Sequence, residues 1–361
     1  MAKRFRIQKR LPIEDFMMFL ALFFVSSYAL LEHVSISIAL FSAVKMPLLY
    51  GGGVFMIPYV LKILSSLRKK KFFYIFLSLI LLFIMLWLSA NSNKNTTFGT
   101  VAERMTVRLV LYLTELFFLM IWASEKGKGD FVIRFLFGYV FVLVVATDFL
   151  LLTKLVVFHN GRFETYLVGN KFTVSYMHMN LLALWFVKNN GRFHFWQKSK
   201  VLAILAASVV IIVSIYVDCI TGLLGCLALI WLFASINTPF ERKIMRLTSP
   251  TILTLVLAAS VIFPFVAQSI VSIPFIESLL ESVLGRSDTL TGRLNIFEVF
   301  SLRMGNRWLW GYGYGNGNAI SEAIFGYANA QNAILYWVLQ AGVLVTGSLI
   351  LLILLIFRQL S

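Results

Sequence analysis

Apolar runs of about 18 residues or more recur along the whole chain, separated by short polar and charged stretches. Each is long enough to cross about 30 Å of hydrocarbon as an α-helix. Lipid offers no partner to a backbone amide, so a spanning run must satisfy its N–H and C=O groups within itself, which selects helices. A transmembrane β-barrel would need shorter segments of alternating polarity, and none is visible. Composition agrees: 60% of residues are hydrophobic and 13% charged, with mean hydropathy +0.86. A soluble domain carries about a quarter charged residues. The expected fold is an all-α integral membrane protein.

Ten spans are predicted, at 13–32, 46–64, 72–90, 107–123, 131–153, 173–187, 199–217, 220–236, 249–268 and 329–357. Gly51, Gly52 and Gly53 soften the start of the second, and the seventh and eighth form a tight helical hairpin. Residues 1–361 thus read as one polytopic membrane domain. Within it, 269–328 is too polar and too glycine-rich for an ordinary membrane helix. It is expected to be one large extracytoplasmic loop containing short helices.

The formal net charge is +16. In a soluble protein that would suggest nucleic acid, but no zinc-finger, helix-turn-helix or RNA-binding pattern is present. A membrane protein instead keeps Lys and Arg in its cytoplasmic loops. With the N-terminus inside, the cytoplasmic segments hold 20 of the 32 Lys and Arg and the outer segments 11, Arg134 lying just within the fifth span. The alternation supports an even number of spans with both termini cytoplasmic. The basic start MAKRFRIQKR precedes an apolar stretch without an A-x-A site, so the first span is expected to be retained. Cys219 and Cys226 are seven residues apart, which fits neither a redox motif nor a disulfide framework; they read as small packing residues. No Walker lysine follows a glycine loop, no internal repeat is evident, and no cofactor or metal is expected.

Chemistry is concentrated in 269–328. IPFIESLLESVLG, with Glu277 and Glu281 four apart, has the pattern of an amphipathic helix on the membrane surface. Thr291 is placed to cap a helix that ends near Gly305. Arg286, Arg293, Arg303 and Arg307 cluster on the side where positive charge is disfavoured. Each alone reads as a solvated arginine. Together they suit a phosphate or pyrophosphate, which a guanidinium grips through two parallel N–H donors. Gly311, Gly313, Gly315 and Gly317 alternate, which permits tight turns and an anion-binding nest of backbone N–H groups. Trp308, Trp310, Tyr312 and Tyr314 read either as an interfacial aromatic belt, the simpler reading, or as stacking faces for sugar rings.

The string TGRLNIFEVFSLRMGNRWLWGYGYGN, followed by ANAQNAILYWVLQAGVL, resembles the O-antigen polymerase/ligase family. There a T/S-G-R opens a short outer helix, an apolar–G–x–G turn follows, and an N-x-x-L stretch starts a membrane helix containing Q/E-x-G. The matching residues here are Thr291, Gly292 and Arg293; Trp310, Gly311 and Gly313; Asn332 and Leu335; and Gln340 and Gly342. VGNKFTVSYMHMNLLAL is similar to a segment of Gram-positive capsular and exopolysaccharide polymerases.

The resemblance implies a GT-C-like, metal-independent, inverting glycosyltransferase in the bacterial cytoplasmic membrane. Its substrates would be undecaprenyl-pyrophosphate-linked repeat units. A chain-length regulator and a flippase are the further partners it suggests. Arg293, with Arg286, Arg303 or Arg307, would stabilise the leaving pyrophosphate. Gly311, Gly313, Asn332 and Gln340 would line the substrate site. Glu298 and His178 are the candidates for orienting or deprotonating the acceptor hydroxyl. Glu115 and Asp148, costly inside a membrane, have Arg108 and Lys154 as possible partners near their helix ends. Ligases of the family carry His before the matching Asn. Here that residue is Gln331, which favours polymerase over ligase. A flippase would spread charge through a central cavity, and a scaffold would leave the arginine cluster unexplained.

Overall fold

The computed structural model describes residues 13–33, 39–98, 101–154, 158–160, 163–189, 200–235, 249–271, 273, 287–327 and 332–360. They form twelve α-helices: α1 (Ile13–His33), α2 (Ala39–Ser66), α3 (Lys70–Ser92), α4 (Ala102–Glu125), α5 (Gly129–Thr153), α6 (Lys171–Lys188), α7 (Lys200–Tyr216), α8 (Ile220–Ser235), α9 (Pro250–Val271), α10 (Ser287–Met304), α11 (Gly317–Phe325) and α12 (Ala333–Leu360). Between α5 and α6, β1 (Phe158–Asn160) pairs antiparallel with β2 (Phe163–Thr165), with Phe158 opposite Thr165.

Each of the ten expected apolar segments centres on a helix, the last helix starting at Ala333 rather than at 329. Six helices (α1 to α5 and α12) are long and apolar enough to cross a membrane. The apolar parts of α7, α8 and α9 are shorter. Large apolar side chains face outward all along these helices: Leu61 on α2 is 80% exposed and Leu152 on α5 74%. Water would not tolerate such surfaces on this scale, and lipid would. The fold is that of an all-α, multi-pass membrane protein.

The chain divides into two compact units, Met1–Ser66 with Glu115–Met245, and Leu67–Thr114 with Arg246–Ser361. The division falls within α4.

In the first unit, α1 packs along α2, and α6 packs against α5, α7 and α8. Small residues let these helices approach, as membrane helices require. A Cβ at Gly51 would come within 2.6 Å of the Phe24 ring, and one at Gly52 within 2.8 Å of Val25. Gly222 and Gly225 of α8 likewise seat Ser175 and Met179 of α6. This glycine face explains one departure from expectation. α2 begins seven residues before the expected span and runs unbroken through Pro47, the three glycines and Pro58. Packing on α1 outweighs the intrinsic cost of these residues. The α7–α8 hairpin is as expected, turning at Asp218 with φ 51°. Cys219 and Cys226 are both buried and unoxidised.

In the second unit, α3 packs on α12, and α9 contacts α10 and α12. Its core holds Ile296, Phe297, Phe300 and Met304 of α10 with Ile320, Leu335, Val338 and Leu339. α10 begins at Ser287, one turn before the expected cap, so Thr291 lies within the helix rather than at its start. The other end is as expected: Gly305, at φ 46°, opens a 3-10 turn through Arg307. Arg286 and the amphipathic stretch with Glu277 and Glu281 lie outside the described residues.

Candidate functional site

The second unit is organised around a break in α12. Gly342 has φ 84° and ψ 172°, a conformation open essentially to glycine alone. In an unbroken helix the carbonyls of Leu339 and Gln340 would accept from residues 343 and 344. Here residues 308–313 lie across the break and supply the missing partners. Tyr312 N donates to Leu339 O at 3.0 Å, Gly313 N to Gln340 O at 2.8 Å, and Val343 N to Trp308 O at 2.8 Å. Irregular backbone is tolerated in a membrane helix only when its polar groups are satisfied in this way. The approach is backbone to backbone. A Cβ at Gly342 would overlap the Leu309 carbonyl, and one at Gly311 would come within 2.5 Å of the Gln340 carbonyl.

Side chains complete the clasp. Trp310 O accepts from Ser89 Oγ at 2.6 Å and Asn93 Nδ2 at 3.3 Å, both on or next to the end of α3. Asn93 Oδ1 in turn accepts from Arg307 Nη1 at 3.1 Å. Gln340 Oε1 accepts from Gly315 N at 3.1 Å, and Asn316 Nδ2 donates to Phe98 O at 3.0 Å. Gly311 N donates to Arg307 O at 2.7 Å. The N–H groups of Gly311, Gly313 and Gly315 are therefore all engaged by protein oxygens. These three donors are not open to an anion, and the alternating glycines form the joint between turn and broken helix.

Asn332 and Gln340 also have structural duties. Asn332 Oδ1 caps α12, accepting from Ile334 N at 2.9 Å and Leu335 N at 3.0 Å, while its Nδ2 donates to Ser260 O of α9 at 3.0 Å. Gln340 is buried, with its Nε2 donating back to Tyr336 O at 3.3 Å. The aromatic residues are similarly occupied. Trp308 meets Phe300 edge-on at 5.9 Å, and Tyr314 stacks on Trp337 at 5.1 Å. Tyr312 donates its hydroxyl to Arg303 O at 2.7 Å and lies 5.8 Å beneath the Arg307 guanidinium. These rings fasten the loop to its own unit.

The charged side chains of α10 are presented on this braced scaffold. Glu298 and Arg303 are exposed, and neither side chain makes a hydrogen bond or ion pair among the described residues. Arg307 is half-buried. Arg293 lies on α10 one turn before Ile296 and Phe297. Glu298, five residues on, is about 140° around the helix from it. The clasp residues Ser89 and Asn93 were not foreseen, because Ser89 falls within the apolar span 72–90 and Asn93 in the polar stretch that follows it. Their spacing of four, at the polar end of an apolar helix, is the signal that marks them.

His178 belongs to the first unit and is 1% exposed. Its Nδ1 is 2.9 Å from Val174 O, and its Nε2 is 3.0 and 3.2 Å from the two oxygens of Asp148. A carbonyl only accepts, so Nδ1 donates to Val174 O, and Nε2 faces the carboxyl group. Both ring nitrogens are committed inside the protein. In this arrangement His178 holds α5 to α6 and is not open to an acceptor hydroxyl. Asp148 thus pairs with His178 rather than Lys154, which ends α5 in a left-handed conformation. Glu115 is 2% exposed, and neither carboxyl oxygen has a hydrogen-bond partner among the described residues. Arg108 directs its Nη1 at Met105 Sδ, 3.7 Å away.

No match to this chain is found among protein-family models, curated proteins or solved structures.

Proposed function

We propose that the chain is a polysaccharide polymerase of the bacterial cytoplasmic membrane, which transfers a growing undecaprenyl-pyrophosphate-linked glycan onto a new lipid-linked repeat unit. In this reading ten helices cross the membrane in a GT-C-like arrangement, both termini are cytoplasmic, and 269–328 lies on the outer face. The observation that carries it is α10: a helix bearing Arg293, Glu298 and Arg303, braced by the turn that fills the break in α12, with Glu298 and Arg303 left to solvent.

The chemistry follows from these groups. The acceptor hydroxyl oxygen bonds to the anomeric carbon, the bond from that carbon to pyrophosphate breaks, and the hydroxyl proton departs. Arg293 and Arg303, with Arg286, neutralise the charge that builds on the leaving pyrophosphate. Arg307, tied to Asn93, holds the end of the helix in place. Glu298 is the exposed carboxylate of α10 and the candidate base. The transfer needs no metal. Gln331, where a ligase of the resembled family carries His, favours the polymerase reading over ligase.

The test is the carrier-lipid profile of cells expressing variants. Arg293→Ala should lower polymer by about 100-fold or more, the usual cost of losing one oxyanion donor. Lipid-linked repeat units should then accumulate singly on the outer face. Arg293→Lys should also fail, because a single ammonium cannot replace the guanidinium fork. Accumulation on the inner face would indicate a flippase instead, and undiminished polymer in Arg293→Ala would reject the site. Tag-accessibility mapping that placed 269–328 in the cytoplasm would reject the topology.

A further inference from the structure

At one end of the first unit, α1 begins, α4 finishes and α5 begins. Between them lies a cavity of about 330 Å³ lined by Asp15, Phe16, Phe19, Trp122, Lys128 and Phe131. Asp15 is 92% buried, on the complement of its 8% exposure. It accepts from Trp122 Nε1 at 3.3 Å and faces Lys128 Nζ at 3.7 Å. Phe19 lies 5.9 Å from Phe131, and Phe16 and Phe131 are partly exposed at the mouth. All three helices are long and apolar enough to cross a membrane, so their shared ends fall at the level of lipid headgroups.

This cavity combines three features that a zwitterion requires. The buried Asp15 carboxylate, bonded at one oxygen to Trp122 and 3.7 Å from Lys128 at the other, has acceptor capacity left for a further ammonium. Aromatic faces around it attract cations. The Lys128 ammonium at the rim is available to a phosphate while still beside Asp15. The volume suits a headgroup, at the lower end of small-ligand pockets. The exposed faces of Phe16 and Phe131 continue toward acyl chains.

We propose that this cavity binds the headgroup of an aminophospholipid, its primary ammonium donating to Asp15 within the aromatic walls and its phosphate resting on Lys128. An anionic lipid without an amine, such as phosphatidylglycerol, offers Asp15 no donor. The site is built from the first unit alone, and the inference is independent of the proposed reaction.

The experiment uses the full chain in nanodiscs of equimolar phosphatidylethanolamine and phosphatidylglycerol, with retained lipid measured by mass spectrometry after extraction. Wild type should enrich phosphatidylethanolamine about tenfold. The enrichment should vanish in Asp15→Asn and fall in Phe16→Ala, while Glu322→Gln, on α11, should retain it. Phe16→Ala keeps the Trp122 and Lys128 contacts of Asp15, so it remains decisive if Asp15→Asn does not fold. A wild type without enrichment, or enrichment unchanged in both site variants, overturns the proposal and leaves Asp15 and Lys128 as a structural ion pair. Displacement of the lipid by soluble phosphoethanolamine at equimolar concentration would also overturn it, since the acyl chains would then contribute nothing and the ligand would be a soluble amine.

Discussion

The clasp across the break in α12 and the His178–Asp148 pair answer the same problem, polar groups inside an apolar protein, by opposite means. In the clasp, neutral backbone meets neutral backbone: the Tyr312 and Gly313 N–H groups and the Trp308 carbonyl take the place of helical partners lost at Gly342. Its specificity is steric, because two main chains touch where no Cβ can fit. In the pair, an imidazole and a carboxyl group hold one another, and its specificity lies in side-chain chemistry at two fixed positions. The difference shows in what each leaves outside. The clasp satisfies its own groups and displays Glu298 and Arg303 on the adjoining helix. The pair consumes both nitrogens of its imidazole and displays none.

If the clasp is steric, the largest effect in the protein should come from adding a single methyl group. Gly342→Ala should abolish folded protein, measured as the monodisperse fraction after detergent extraction. The backbone conformation alone costs alanine roughly 1–3 kcal/mol, and the overlap with the Leu309 carbonyl adds to it. A folded, monodisperse Gly342→Ala protein would show that the break is dispensable. Breaking the pair should cost less. His178→Ala strands a largely buried Asp148 and should destabilise by about 2–3 kcal/mol in thermal unfolding, below the range for a fully buried charge because Asp148 keeps some solvent contact. Asp148→Asn retains a neutral polar partner and should cost about 1 kcal/mol. Equal costs for the two substitutions would mean that the neutral bond kept by Asn contributes nothing and that the carboxylate charge carries the pair.

The two regions were not equally legible in the sequence. Helix positions followed from apolar run length, because lipid imposes that constraint residue by residue. The end of α10 at Gly305 and the α7–α8 hairpin followed from local chemistry. What the pattern of Gly311, Gly313, Asn332 and Gln340 did not disclose was who their partners would be. A glycine that can bind an anion can equally admit another backbone, and an amide that can bind substrate can equally cap a helix. Choosing between these requires knowing which segment folds back, here a loop returning to a helix about thirty residues later. The link between Asp148 and His178 is likewise a tertiary fact, spanning thirty residues between separate helices. The continuity of α2 through two prolines was hidden because propensity is local, whereas the α1 surface that stabilises it is not.

A smaller effect should come from the cap where the clasp meets α12. Asn332→Ala removes two accepted bonds at the start of that helix and one donated to Ser260, so about 1 kcal/mol should be lost in thermal unfolding. Asn332→Asp keeps the cap and gives up only the bond to α9, so it should recover most of that loss. If Asn332→Asp instead destabilises as much as alanine, the tie to Ser260 matters more than the cap.

The smallest effect on stability should be at Arg303, and for that reason it sharpens the comparison most. Its side chain is exposed and makes no hydrogen bond or ion pair among the described residues; its carbonyl, which any residue supplies, is what Tyr312 uses. Arg303→Gln should therefore change unfolding by less than about 0.5 kcal/mol, as surface substitutions do. If α10 displays guanidinium for a pyrophosphate leaving group, the same variant should lower polymer in cells by at least tenfold at unchanged protein level. If it serves only as a solvated charge, polymer should be unaffected. A residue whose loss leaves the fold intact but removes the product has its role in function rather than in holding the molecule together. His178 should give the reverse, with product falling only as far as folded protein falls.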